Sequence, residues 1–428
     1  MPEAPEVFGF FKKIDRLCKE EERVTGQIPQ AQIRLFPRCF ALGSDTKKYF
    51  SISIDCQHFD KKLEEPDPNK PPYTPNSNDL ANAITISKQA EQEEKLKLKA
   101  KKAEAEKAKR AGRTPEPVPE PRETSCVYLV DRPLKQGPLV YAMRGKCLVV
   151  AAGHHAVTIN FGLESSVYIL SRLDFEALTA IDAPGPNKNA KKAQHLRVFK
   201  VPSQFIDPGS PTEQKRTISI FCAFVMTNHV IIVADFARLA RLHITSSSTF
   251  WSAKDLQVGS KWRKENLFSQ FPDGPDWVLE TNDAFERLDS WRQSCMEDKS
   301  TPIVVALTTN TSKAFGGFGR HLANDYLYHV AIPPGLSVSE MWQEKEFVSR
   351  CITTANSSNP FTFNHISNNN YLKMYCKVYF KKFNETWKDV QAKGHSTTVG
   401  PASFPQSGKA TQDSYWQAWP SSIWEAKC

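Results

Sequence analysis

Twenty-six residues from Lys88 to Arg113, KQAEQEEKLKLKAKKAEAEKAKRAGR, are almost all strong helix formers and carry no apolar stripe. A helix of this kind has no face to bury. It stands in water, spans roughly 39 Å at 1.5 Å per residue, and divides what folds on either side. The i,i+4 pairs Glu91–Lys95, Glu93–Lys97 and Glu106–Arg110 support it by about 0.2–0.5 kcal/mol each. Proline-rich stretches bound it, LEEPDPNKPPYTPNSND before and TPEPVPEPRE after, where missing amide donors prevent regular structure. The run holds ten Lys or Arg against five Glu, so it accounts for +5 of the chain's net charge of +9. Two readings stay open for it, a spacer between folded parts and a polybasic arm for nucleic acid or acidic lipid.

The chain then divides into four parts. Residues 1–65 form a small N-terminal β-rich unit, in which IRLFPRCFAL and KYFSISIDCQHF read as strands. Residues 66–124 are the Pro-flanked charged linker, 125–392 the main domain, and 393–428 a polar tail containing Trp416, Trp419 and Trp424. In the main domain, strands are expected at 126–130, 139–141, 147–152, 157–161, 167–170, 196–201, 217–225, 230–233, 303–307, 326–332 and 371–380. Helices are fewer, at 174–180, 283–293, and briefly after Thr311 and Ser337. No regular βαβ alternation suggests a doubly wound sheet, so the expected class is α+β with a strand-dominated body.

With 428 residues, 40% hydrophobic and 11% aromatic, the chain can build real cores, which excludes disorder throughout. The opening residues lack a basic region followed by an apolar run, so no secretory leader is expected. The most apolar stretch, Thr217 to Ala240, is interrupted by His229, Asp235 and Arg238, and no membrane span is expected. The ten cysteines are scattered, with no C-x-x-C pair and no histidine at finger spacing. Structural zinc is therefore not expected, and reduced thiols suit the cytosol or the nucleus. The neighbouring His154 and His155 would point to opposite faces of a strand and not chelate one ion.

No Walker loop, G-x-G-x-x-G, G-x-S-x-G or H-E-x-x-H occurs. Gly316-Gly317-Phe318-Gly319 reads as a turn, or as a backbone nest for phosphate. In residues 302–348 an expected strand, Ile303 to Leu307, ends in Thr308-Thr309. A capped short helix follows, then a second strand, Tyr326 to Ile332, ending in Pro333-Pro334-Gly335, and then Glu344-Lys345-Glu346. This order resembles the C-terminal half of the ADP-ribosyltransferase fold, in its enterotoxin-like branch. The resemblance implies an NAD-binding protein, active or degenerate, with a protein or nucleic-acid acceptor. Thr308 and Thr309 would support the NAD pocket, Glu346 would be the catalytic glutamate and Glu344 its partner. The family's phosphate-gripping arginine has no direct counterpart in Val127-Tyr128-Leu129-Val130-Asp131-Arg132-Pro133, where Arg132 is the substitute.

A second function class comes from Tyr371-Leu-Lys-Met-Tyr-Cys-Lys-Val-Tyr-Phe-Lys381. Strict alternation there puts Tyr371, Lys373, Tyr375, Lys377, Tyr379 and Lys381 on one face and Leu372 to Phe380 on the other. Rings interleaved with ammonium groups suit single-stranded nucleic acid, since bases stack on rings and cations follow phosphates. The same face also suits an exposed architectural strand whose lysines prevent edge pairing. The sequence thus leaves an ADP-ribosyltransferase-like protein beside a non-enzymatic nucleic-acid-binding or assembly protein.

Overall fold

The computed structural model describes residues 3–343 apart from 41–50, 66–72, 113, 115–116, 118–124, 163, 186–188, 191–192, 194–195, 207–215 and 330–331. The described residues are α+β and fall into two compact units, 10–143 with 147–271, and 3–9 with 144–146 and 272–343.

The first unit is built on strands β1 (Gln30–Leu35), β2 (Ile52–His58), β3 (Gly137–Arg144), β4 (Cys147–Ala152), β5 (His155–Asn160), β6 (Ser165–Ser171), β7 (Asp182–Ala183), β8 (Val198–Lys200), β9 (Thr217–Ile218), β10 (Ile220–Val225), β11 (His229–Asp235) and β12 (Arg241–Ser247). Nine of them form one sheet in the order β2-β12-β5-β4-β3-β1-β10-β11-β6, and β7-β8-β9 form a small second sheet. The N-terminal β region is present, and its two strands pair into the large sheet: β1 antiparallel to β10, β2 parallel to β12. Every residue of β4 is buried, as an uninterrupted CLVVAA run requires. Val149, Ala151, Trp251, Leu267 and Phe268 share a core cluster against it.

Helix α1 (Ala4–Thr25) precedes β1 where no helix was expected. Its signal is a helical stripe, with Val7, Ile14 and Cys18 buried at spacings of seven and four. The charged helix α2 (Ser77–Arg110) is 34 residues long and begins eleven residues before Lys88. Its opening turns are docked, with Asp79, Asn82, Ala83 and Ile86 buried. Asn76 caps it, its side chain accepting from Asn78 N and Asp79 N. Of the three i,i+4 pairs expected on the solvated part, Glu91–Lys95 is formed at 2.7 Å. The expected strand at 126–130 is instead a 3-10 turn, Val127–Leu129. Helix α3 (Arg172–Ala180) follows β6 and is capped by Ser171.

The second unit is helical: α4 (Thr281–Cys295), α5 (Ile303–Thr309), α6 (Arg320–His329) and α7 (Val338–Gln343). Two segments expected to be strands are helices here. In α5 the buried residues are Ile303 and Leu307, one turn apart. In α6 they are Leu322, Ala323, Tyr326 and Leu327, a 3.6-residue stripe. Packing against Trp277, Trp291 and Phe315 overrides the β-branched composition of Ile303-Val304-Val305. Asn310, in the left-handed region at φ 46°, ends α5. Among the described residues no helix is long and apolar enough to cross a membrane.

Candidate active site

The second unit is organised around the start of α6, whose first amides are occupied by Glu3. Its Oε1 accepts from His321 N and its Oε2 from Leu322 N, both at 3.0 Å. Glu3 is only 8% exposed. Two amides at the positive end of a helix favour negative charge there. The approach depends on Gly319, because a Cβ at that position would collide with Glu3 Oε1.

Glu3 also begins α1, its carbonyl accepting from Val7 N at 3.2 Å. Glu6 accepts in return from Glu3 N, the reciprocal half of a capping box. Burial pushes the Glu6 carboxyl above its ordinary 4.5 against the pull of that hydrogen bond. The charge of Glu3 adds to the rise, while His321 opposes it. Asp325, on α6 one turn after His321, is likewise pushed above 3.8, first by burial and then by Glu3, with His321 opposing. One carboxylate fixed by amides thus lies with two carboxyls that burial biases towards the protonated form.

The turn between α5 and α6 is braced by Asp273, which accepts from Gly317 N at 2.6 Å and Lys146 N at 3.1 Å. Asn310 donates to the Asp273 carbonyl and accepts from Phe315 N. The Gly317 amide that a phosphate nest would offer is therefore already bound to an internal carboxylate. Arg144 Nε donates to Glu280 at 2.7 Å.

The residues assigned to NAD are otherwise engaged. Thr308 and Thr309 lie on α5, and their hydroxyls donate back to Val304 O and Val305 O at 2.8 Å, as helical threonines do. Arg132 donates to the neighbouring Asp131 at 2.7 Å. Glu344 and Glu346 lie outside the described residues, as do Tyr371, Lys373, Tyr375, Lys377, Tyr379 and Lys381. With 303–307 and 326–329 helical, the strand-turn-strand order that suggested an ADP-ribosyltransferase is absent. The NAD cofactor and the ADP-ribosyltransferase reading fall with it.

In the first unit, His155 Nδ1 lies 2.9 Å from Ser246 Oγ, and its Nε2 lies 3.4 Å from Glu64 Oε1. None of the three is more than 1% exposed, and the group is a structural brace. His154 lies 2.9 Å from the Ser247 carbonyl. Among the described residues no three His, Cys, Asp or Glu side chains gather as metal ligands.

The chain matches no protein-family model and no curated protein. Solved structures that resemble it include complexes of a DNA glycosylase. Lactococcus lactis Fpg (MutM) bound to DNA with an oxidised pyrimidine is 11% identical, over 62% of this chain and 66% of that one, with a TM-score of 0.32. A mutant of it with Fapy-dG DNA is 12% identical over 64% and 69%, TM-score 0.33. The same enzyme on an AP site is 12% identical over 61% and 67%, TM-score 0.32. The first match spans slightly less than two thirds of the Fpg chain. At these scores the likeness is too loose to assign a fold or an activity.

Glu3, Glu6 and Asp325 escaped the sequence reading. Glu6 three residues after Glu3 and just before Val7-Phe8 is half of a capping-box signal, since Glu3 is not one of the usual Ser, Thr, Asp or Asn caps. Nothing local marks Asp325, which only the fold brings to Glu3.

Proposed function

We propose that this chain binds DNA and acts on the N-glycosidic bond of a nucleotide through the carboxyls at the start of α6. The observation that carries this is the grouping of Glu3, held by two amides, with Glu6 and Asp325, both biased towards the acid form. Glycosidic cleavage needs such a set: an acid to protonate the leaving group and a fixed carboxylate to face the cationic sugar. Glu6 or Asp325 gives its proton to the departing base. Glu3 stabilises the charge at C1′ and takes a proton from the water that adds there. Charge favours a polyanionic substrate. Residues 10–143 and 147–271 hold 39 Lys and Arg against 29 Asp and Glu, a net charge of +10, whereas the described residues of the second unit are net acidic, so the attraction lies on the first unit.

The test is release of base, and scission of the strand, from oligonucleotides carrying an oxidised pyrimidine, Fapy-dG or an abasic site. Glu3→Gln keeps the shape and one acceptor for the α6 amides. It is expected to bind DNA like the parent while losing at least 100-fold in turnover. Parent protein that binds these duplexes without altering them would leave a DNA-binding protein and end the catalytic reading. Absence of binding at low salt would end both.

A further inference from the structure

We propose that the distal half of α2 is a DNA-tracking arm, whose Lys95, Lys99, Lys102, Lys109 and Arg110 lie along the phosphates of a duplex. This deepens the DNA-binding reading and rests on it. Two independent features support the arm. The first is its mounting. Asp79 and Arg38, both nearly inaccessible, pair at 2.6 Å, Ala83 and Ile86 are buried, and Ser87 Oγ accepts from Cys126 N at 3.0 Å. Beyond Ser87 no residue of α2 is buried. The basic first unit therefore carries a further 23 residues, Lys88 to Arg110, as a rod with no buried residue.

The second feature is the pattern on that rod. At about 100° per residue, the five cations at offsets of 0, 4, 7, 14 and 15 from Lys95 fall within about 100° of arc, on a stripe roughly 23 Å long. Glu106 lies within the same stripe. Residues 95–110 hold eight Lys or Arg against two Glu. A solvated spacer gains nothing from sorting like charges onto one side, since they repel. A polyanion with a charge about every 3.4 Å per strand fits it. An anionic membrane fits less well. Interfacial helices need a broad apolar face with aromatics, and this stretch offers only Leu96 and Leu98.

The test replaces the five cations with Gln, which preserves helix propensity, and compares full-length parent and variant on duplex DNA across salt concentrations. Each phosphate contact contributes about 0.9 to the slope of log K against log salt. The variant's slope should therefore be shallower by up to about 4.5, with the affinity gap closing as salt rises. Glu3→Gln, measured beside it, should keep the parental slope. That separates the two proposals, since the arm stands or falls on slope and the candidate site on turnover. A variant whose slope lies within one unit of the parent's would overturn the arm. So would a variant that loses binding to phosphatidylserine vesicles while its DNA slope is unchanged.

Discussion

Removing the Asp79 carboxylate tests how the first unit holds α2. Arg38 is 2% exposed and Asp79 4%. The guanidinium meets Asp79 through Nε at 2.9 Å and Nη2 at 2.6 Å, and Asp182 through Nη1 at 2.7 Å. It also lies over the Phe199 ring. Asp79→Ala strips a bidentate partner from a cation that cannot deprotonate, a change that typically costs about 3–5 kcal/mol. Asp182 remains and is itself shared with Arg197 at 2.9 Å, so the lower end, about 3 kcal/mol, is expected. For a unit of this size that lowers Tm by roughly 6–12 °C. The double variant Arg38→Met with Asp79→Leu removes both charges and should recover more than half of the loss, because a buried pair contributes little net while a buried orphan is costly. Thermal and urea unfolding, followed for the first unit's transition, measure both. A single variant within about 1 kcal/mol of the parent, or a double variant no better than the single, would refute the reasoning.

Four further outcomes are expected. Deleting 88–112 with a Gly/Ser join should leave Tm within a few degrees, whereas extending the deletion back to 77 removes the buried turns and should destabilise the first unit strongly, as thermal unfolding will show. Burial lowers the His155 pKa from its ordinary 6.5 against the opposing pull of Glu64. Protonation therefore favours the unfolded chain, and stability is lost as pH falls through about 6.5; unfolding between pH 7.5 and 5 should show this slope, and His155→Gln should flatten it. Gly319→Ala displaces Glu3 from the α6 amides and should lower both the second unit's Tm and turnover, unlike Glu3→Gln, which lowers turnover with the fold intact. Replacing Lys373, Lys377 and Lys381 by Gln should flatten the salt dependence of single-strand binding by about 0.7 per lost contact, and parent protein that does not bind single strands leaves that segment without this role.

Several elements were legible because their own residues settle them. The CLVVAA run reads as a buried strand, and β4 formed at the expected residues; Ser171 with Asp174 marks the start of α3. The solvated stretch after Lys88 is a helix because nothing in it competes with helix formation. The tertiary structure decided the rest, since local preference there is weak and packing partners are distant. Ile303-Val304-Val305 prefers strand by composition, yet it is helical because Ile303 and Leu307 fill the space beside Trp291 and Phe315. The α2 boundary moved back to Ser77 because Arg38, about forty residues earlier, supplies a buried partner for Asp79. The candidate site is the clearest case. The sequence alone set Glu3 and Glu6 three residues apart ahead of Val7-Phe8. Only the fold made that stretch the first turn of α1 and laid it against the amides of α6, over three hundred residues later, where burial pushes the Glu6 and Asp325 carboxyls above their ordinary range.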